Sequence, residues 1–310
     1  MPRIIRVAAA QVGPITKDDI KKEVVERLIV LMEEAASRGA DLVCYPECAL
    51  TTFFPRNLLS QEEVDRYFER TMPNPSVQPL FDRGRELGIG FHLGYAELDG
   101  DKHYNSSLLV DGNGEVVGKY RKSHIPGTVV PIPGQKYQHL ERRYFLEGDT
   151  GLRVWDAFGG RVGLAICNDR RWPETWRVLG IKGAELVIVG WNTPLTHYRK
   201  HLSYSRLAEF HNKLSLQAGC YQNGVWSVGV AHCGEEESGY ILMGQSMIVS
   251  PLGEIVAMSS TLEDEVIDAT IDLDAGKTIR EGVFNFELYR RPELYSVITD
   301  PVGRNPKTSS

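Results

Sequence analysis

One five-residue phrase occurs twice, each time after a helix signal and ahead of a short apolar run: Gly39-Ala40-Asp41-Leu42-Val43 and Gly183-Ala184-Glu185-Leu186-Val187. Glycine ends a helix readily because the left-handed cap costs it little. A short unbroken apolar run reads as a strand covered on both faces. A hairpin pattern follows each copy. Leu108-Leu109-Val110 turns through Asp111-Gly112-Asn113-Gly114 into Glu115-Val116-Val117, and Met247-Ile248-Val249 turns through Ser250-Pro251-Leu252-Gly253 into Glu254-Ile255-Val256. The stretches from Gly39 to Gly114 and from Gly183 to Gly253 are nearly equal. Self-similarity at a fixed offset predicts two halves built alike.

The remaining pattern fills in an α/β domain. Residues 4–12 form a β-like run. Ile20, Val24, Leu28 and Met32 recur at helical spacing within 17–36, and a short strand follows over 42–45. A second helix is expected around 173–181. Hairpins supply antiparallel strands and helices need sheet faces to cover, so mixed sheets between helices are expected. No long Pro/Gly/Ser linker divides the chain, which is read as one domain over 1–280 and a C-terminal arm over 281–310. The arm contains Phe284-Asn285-Phe286-Glu287-Leu288-Tyr289-Arg290-Arg291-Pro292 and is expected to pack on a neighbouring subunit.

Composition excludes several classes of function. The net charge is −6, and the densest basic run, Gly118-Lys119-Tyr120-Arg121-Lys122, is too short to track phosphates, so no nucleic-acid partner is expected. No apolar run approaches the roughly 20 residues of a membrane helix, and the first residues carry no signal-peptide pattern. A cytoplasmic protein without a membrane partner is expected. The five cysteines are odd in number and lack CxxC spacing, which argues against a disulfide framework and against a zinc site.

Three chain-distant segments carry chemistry. The run Arg161-Val162-Gly163-Leu164-Ala165-Ile166 ends in Cys167, and Asn168-Asp169-Arg170-Arg171-Trp172 leads to Pro173, a favoured first helical residue. A cysteine at such a turn, beside arginines, is expected to favour the thiolate. Taken alone it reads better as a buried strand end; the turn, the charges and the two partners below reverse that. Glu47 follows a strand in Tyr45-Pro46-Glu47, where open sheets place ligands, and Thr51-Thr52-Phe53-Phe54-Pro55 can wall a pocket. Lys122 ends another strand before His124-Ile125-Pro126-Gly127. Alone, each is an ordinary surface residue. Together they suit attack on a poor amide-like electrophile: a sulfur nucleophile, a carboxylate that takes its proton and later activates water, and an ammonium for the oxyanion. Cys44 and Cys48 read as core packing, and Cys220 and Cys233 carry no motif.

These segments resemble the three active-site motifs of the nitrilase (carbon–nitrogen hydrolase) superfamily: Tyr45-Pro46-Glu47, Tyr120 to Gly127, and Ile166 to Glu174. The resemblance implies a four-layer αββα sandwich, a Glu47–Lys122–Cys167 triad without metal or organic cofactor, and a homodimer or homotetramer. Within the superfamily the closest likeness is to the N-carbamoyl-D-amino acid amidohydrolases, through Ala49 to Arg56, Gln138 to Glu141, Asn168 to Glu174, Asn192 to Pro194 and Gln217 to Gly224. It implies hydrolysis of N-carbamoyl-D-amino acids to D-amino acid, ammonia and carbon dioxide through a cysteine acyl-enzyme. Arg170 and Arg171 would hold the substrate carboxylate. His139, Asn168, Asn192 and Thr193 would line the site, and Glu141 would be a second glutamate orienting Lys122 or the substrate nitrogen. Two guanidiniums suit a carboxylate; pairing with Asp169 or Glu174 is the alternative. The segments Thr128 to Pro133 and Leu195 to Lys200 depart from the pattern, which bears on side-chain and stereochemical preference. Two other readings stay open: another amidase or carbamoyl hydrolase of the superfamily, and a non-catalytic binding protein on the same scaffold.

Overall fold

The computed structural model describes residues 2–195, 202–237 and 239–300, with backbone only for 202–206. The first half contributes strands β1 (Ile4–Gln11), β2 (Leu42–Cys44), β3 (Gly90–Asp99), β4 (Lys102–Val110) and β5 (Val116–Arg121). The second contributes β6 (Val154–Ala157), β7 (Gly160–Ile166), β8 (Leu186–Trp191), β9 (Trp226–Ala231), the small hairpin β10 (Cys233–Glu235) and β11 (Ile241–Met243), β12 (Met247–Val249) and β13 (Ile255–Met258). Strand β14 (Glu265–Asp272) returns to the first sheet. Four longer helices are α1 (Lys21–Ser37), α2 (Gln78–Leu87), α3 (Pro173–Ile181) and α4 (Leu202–Asn223).

The sheets run β14-β1-β2-β3-β4-β5 and β13-β12-β9-β8-β7-β6. In the first, β1, β2 and β3 are parallel, and β4 and β5 follow antiparallel. In the second, β7, β8 and β9 are parallel, and β12 and β13 follow antiparallel. The two halves therefore share one topology, as the repeated phrases predict.

Side-chain alternation makes the layers. On β1, Ile5, Val7 and Ala9 point into the core between the sheets, while Ala8 and Ala10 meet α1 and α2 through Leu28, Met32, Leu80 and Phe81. Strand β8 is buried along its whole length, between the first sheet and the Trp176, Leu179 and Leu216 side of α3 and α4. The result is a helix–sheet–sheet–helix sandwich, the αββα architecture expected from the motifs. Helix α1 starts at Lys21 rather than residue 17, because Thr16 and Asp19 close a turn of their own. Among the described residues no helix is long and apolar enough to cross a membrane. Residues 196–200 of the departing segment and 301–310 of the arm lie outside the described residues.

Candidate active site

The carboxyl ends of β2 and β8 face each other across the inter-sheet core, and Glu47 sits where they meet. Two glycines make this possible. A Cβ at Gly190 on β8 would stand 2.6 Å from the Glu47 amide nitrogen, and one at Gly94 on β3 would collide with the Pro46 carbonyl. A strand glycine that lets another backbone approach is a recognised device. The Pro46–Glu47 backbone is thus clamped between both sheets.

The Glu47 carboxylate is fully buried. It accepts from Asn105 Nδ2 on β4 at 2.7 Å, from Lys122 Nζ at 2.7 Å and from the Asn192 amide at 2.9 Å. Asn192 Nδ2 also donates to the Glu47 carbonyl at 2.7 Å. Lys122 follows β5, and its amide donates to the Asn105 carbonyl at 2.8 Å. Its Nζ pairs with Glu47 and with Glu141, which His139 Nε2 meets at 2.9 Å. Burial opposes the charge on Lys122, but the Cys167 sulfur and the Glu141 and Glu47 carboxylates hold its pKa well above the ordinary lysine value. Burial likewise works against ionised Glu141, and Lys122 and His139 outweigh it, leaving its pKa below the usual range.

Cys167 opens a 3₁₀ turn, Cys167–Arg171, directly after β7, with φ of 48°. Its Sγ lies 4.0 Å from the carbonyl oxygen of Asn192, the residue that grips Glu47. Burial pushes the thiol up to about 11; Glu47 pushes the same way, while Lys122 and Arg170 pull against them. Burial thus opposes the thiolate that Lys122 and Arg170 favour, which leaves a role for a base in the attack.

Arg170 is engaged mainly by the protein itself. Only 1% exposed, it donates from Nη1 to the Cys167 carbonyl at 2.6 Å, from Nη2 to Thr193 Oγ1 at 3.0 Å, and from Nε and Nη2 to Asn212 Oδ1 at 3.1 and 2.9 Å. All three nitrogens donate to protein acceptors, so Arg170 braces the nucleophile turn. Burial lowers its pKa to about 10. Arg171 is half-buried and has no ion-pair partner among the described residues. Asp169 pairs with neither arginine; it bonds Tyr120, His124 and the Ile166 amide.

The other expected residues divide. Asn192 grips Glu47, and His139 reaches Glu141 with the Phe53 ring edge-on at 6.3 Å. Thr193 is spent on Arg170, and Asn168 Nδ2 turns to the His124 carbonyl at 3.2 Å. Asn105, Gly94 and Gly190 were not singled out in the sequence. Their signal was polarity or glycine inside strands, where both are disfavoured. Cys44 and Cys48 are buried, as expected for packing. Among the described residues no group of three or more His, Cys, Asp and Glu side chains converges as a metal site.

A two-sheet sandwich thus brings a buried carboxylate, ammonium and thiol together between its sheets. The Carbon-nitrogen hydrolase family model matches residues 6–281, and the chain belongs to that family. It is 30% identical over 316 residues to N-carbamoylputrescine amidase from Solanum lycopersicum, covering 98% of each chain. It is 27% identical to a citrullinase from Francisella tularensis, covering 95% of this chain and 98% of the relative. A carbon-nitrogen hydrolase from Helicobacter pylori superposes with a TM-score of 0.80 at 22% identity, over 96% of this chain and 98% of that one.

Proposed function

We propose that the protein hydrolyses the terminal carbamoyl group of a small N-carbamoyl compound through a covalent cysteine intermediate. The observation that carries this reading is the convergence of Glu47 and Lys122 from one sheet with Cys167 from the other. As the thiol attacks the ureido carbonyl, Glu47 takes its proton. An ammonium has three donors; Lys122 uses two on Glu47 and Glu141, and the third, which has no acceptor among the described residues, would meet the oxyanion. The proton passes to the departing nitrogen, leaving an acyl-thiol enzyme. Water then gives up a proton to Glu47 and attacks; the C–S bond breaks, the sulfur takes that proton back, and the carbamic acid released breaks down to carbon dioxide and the second nitrogen product, so that amine and ammonia are both formed.

The particular substrates we infer are N-carbamoyl-D-amino acids, supported by the motif likeness and by Arg171, a half-buried cation four residues from Cys167 that has no ion-pair partner among the described residues. A second reading, a cationic or zwitterionic ureido substrate, is favoured by the relatives named N-carbamoylputrescine amidase and citrullinase. Ammonia release should be compared across N-carbamoyl-D-amino acids, their L forms, N-carbamoylputrescine, citrulline and simple amides. Preference for N-carbamoylputrescine or citrulline would replace the D-amino acid assignment, and equal rates on simple amides would remove the carbamoyl assignment.

Exposed Leu288, Tyr289 and Val297 on the arm and Leu207, Phe210 and Leu214 on α4 support assembly into a homodimer or larger homo-oligomer, with the arm on a neighbouring subunit. Light scattering of the full chain and of a chain ending at residue 280 tests this. Five free, buried cysteines suit a reducing, cytoplasmic setting.

A further inference from the structure

The pocket is assembled from loops on two different sheets, so its geometry depends on whatever fixes one loop against the other. Glu47 has its glycine clamp. The Cys167 turn has another joint, centred on Asp169. This fully buried carboxylate accepts from the Ile166 amide at 3.0 Å and from Tyr120 Oη at 2.8 Å. It also accepts from the His124 amide at 2.9 Å and from His124 Nδ1 at 2.7 Å. A carboxylate only accepts, so Nδ1 carries the proton.

His124 stands two residues beyond Lys122 and is gripped from three places on the nucleophile turn. Asp169 holds its ring nitrogen, Asn168 Nδ2 holds its carbonyl, and the Trp172 ring stacks on the imidazole at 5.2 Å and 15°. The turn needs holding, because Cys167 has φ of 48°, a conformation that non-glycine residues resist. A misplacement of about 1 Å in a reacting group can cost about a hundredfold in rate.

We propose that His124 is a positioning residue: its Nδ1–Asp169 bond clasps the nucleophile turn to the lysine loop and sets where Cys167 sits relative to Lys122 and Glu47. This rests on the reading of Cys167 as nucleophile and adds a requirement to it.

Two substitutions separate the bond from the ring. His124→Phe keeps a ring for Trp172 and loses the donor; His124→Asn places an amide where Nδ1 stood and loses the ring. The side chain is 30% exposed, which leaves room for both. The clasp predicts that H124F loses about tenfold to a hundredfold in kcat, with KM within about twofold. Alkylation of Cys167 by iodoacetamide, followed by mass spectrometry of its peptide, should slow by a similar factor. H124N should keep at least about a third of wild-type kcat. Wild-type kcat and alkylation in H124F would overturn the proposal, and so would equal losses in H124F and H124N. If H124F does not fold, Tyr120→Phe deletes a single hydroxyl from the same joint. A fall of about threefold in kcat alone supports the clasp, and an unchanged kcat overturns it. Activity in C167A would instead remove the nucleophile reading; an inactive C167A beside a fully active H124F would remove the clasp alone.

Discussion

Arg121 and Lys122 are neighbours in sequence and point to opposite faces at the end of β5. Arg121 donates to Glu97 twice at 2.8 Å, to Asp99 at 2.8 Å and to Asp149 at 2.9 Å, and stacks on the Tyr104 ring at 3.9 Å. Two of its three carboxylate partners reach solvent: Asp99 is 61% exposed and Asp149 56%. Lys122 and its two glutamates are all dehydrated, at 0–1% exposure. One cation is saturated by carboxylates at a wet rim. The other is held dry, with one donor to spare. The first arrangement suits stabilising a fold and the second suits the proposed reaction, because an interaction that strengthens only as charge develops must be left unsatisfied beforehand.

Removing the sulfur gives the sharpest contrast. Cys167→Ala should reduce ammonia release by at least about 10⁴-fold while thermal unfolding stays close to wild type. Glu47→Gln, which keeps size and removes the base, should cost about 10²–10⁴-fold. Substantial turnover in either variant would break the assignment of the dry cluster to chemistry. Lys122→Met should fail in both respects. Loss of the oxyanion donor costs about 10²–10³ in kcat. Leaving Glu47 and Glu141 dehydrated without a cation costs about 3–5 kcal/mol of stability. Denaturant titration beside steady-state kinetics reads both losses from one protein.

Much of this was legible beforehand, for a physical reason. The repeated Gly-Ala-acidic-Leu-Val phrase marks the parallel strands whose carboxyl ends bear Glu47 and Asn192, and a strand running into Cys167 is a local pattern. Which polar residues touch is not local. Asn105 lies between Tyr104 and Ser106 with nothing beside it in sequence to mark it, yet its side chain and carbonyl tie Glu47 to Lys122. Arg170 and Arg171 look alike in the chain. The turn beginning at Cys167 sends the first into Asn212 on α4 and leaves the second half-exposed. Asp169, one residue earlier, is drawn to Tyr120 and His124 by the facing sheet, which no spacing rule along the chain can report.

The wet cluster makes the opposite prediction. Arg121→Met should cost about 2 kcal/mol of stability, below the dry-pair figure because two partners stay hydrated. It should leave kcat within about threefold of wild type. A loss of kcat as large as in Lys122→Met would show that the two faces of β5 are coupled and would end the division of labour.

The smallest effect is one of pH. Burial pushes Glu97 up, but bonds from Arg121, Lys119 and Ser106 outweigh it and hold its pKa at about 2. A carboxyl with a depressed folded-state pKa contributes stability that is fully present above its unfolded value, near 4.3. That contribution fades as pH falls from there toward 2. Wild-type protein should therefore lose Tm steadily between about pH 5 and pH 2, in part through Glu97. Glu97→Gln should start from a lower Tm at pH 7 and show a shallower fall across that window, since the neutral amide has no proton to gain. Parallel wild-type and variant curves would mean that the Glu97–Arg121 pair contributes nothing to acid sensitivity. The stabilising role of the outer face would then rest on Asp99 and Asp149, the two solvated partners from which the least is expected.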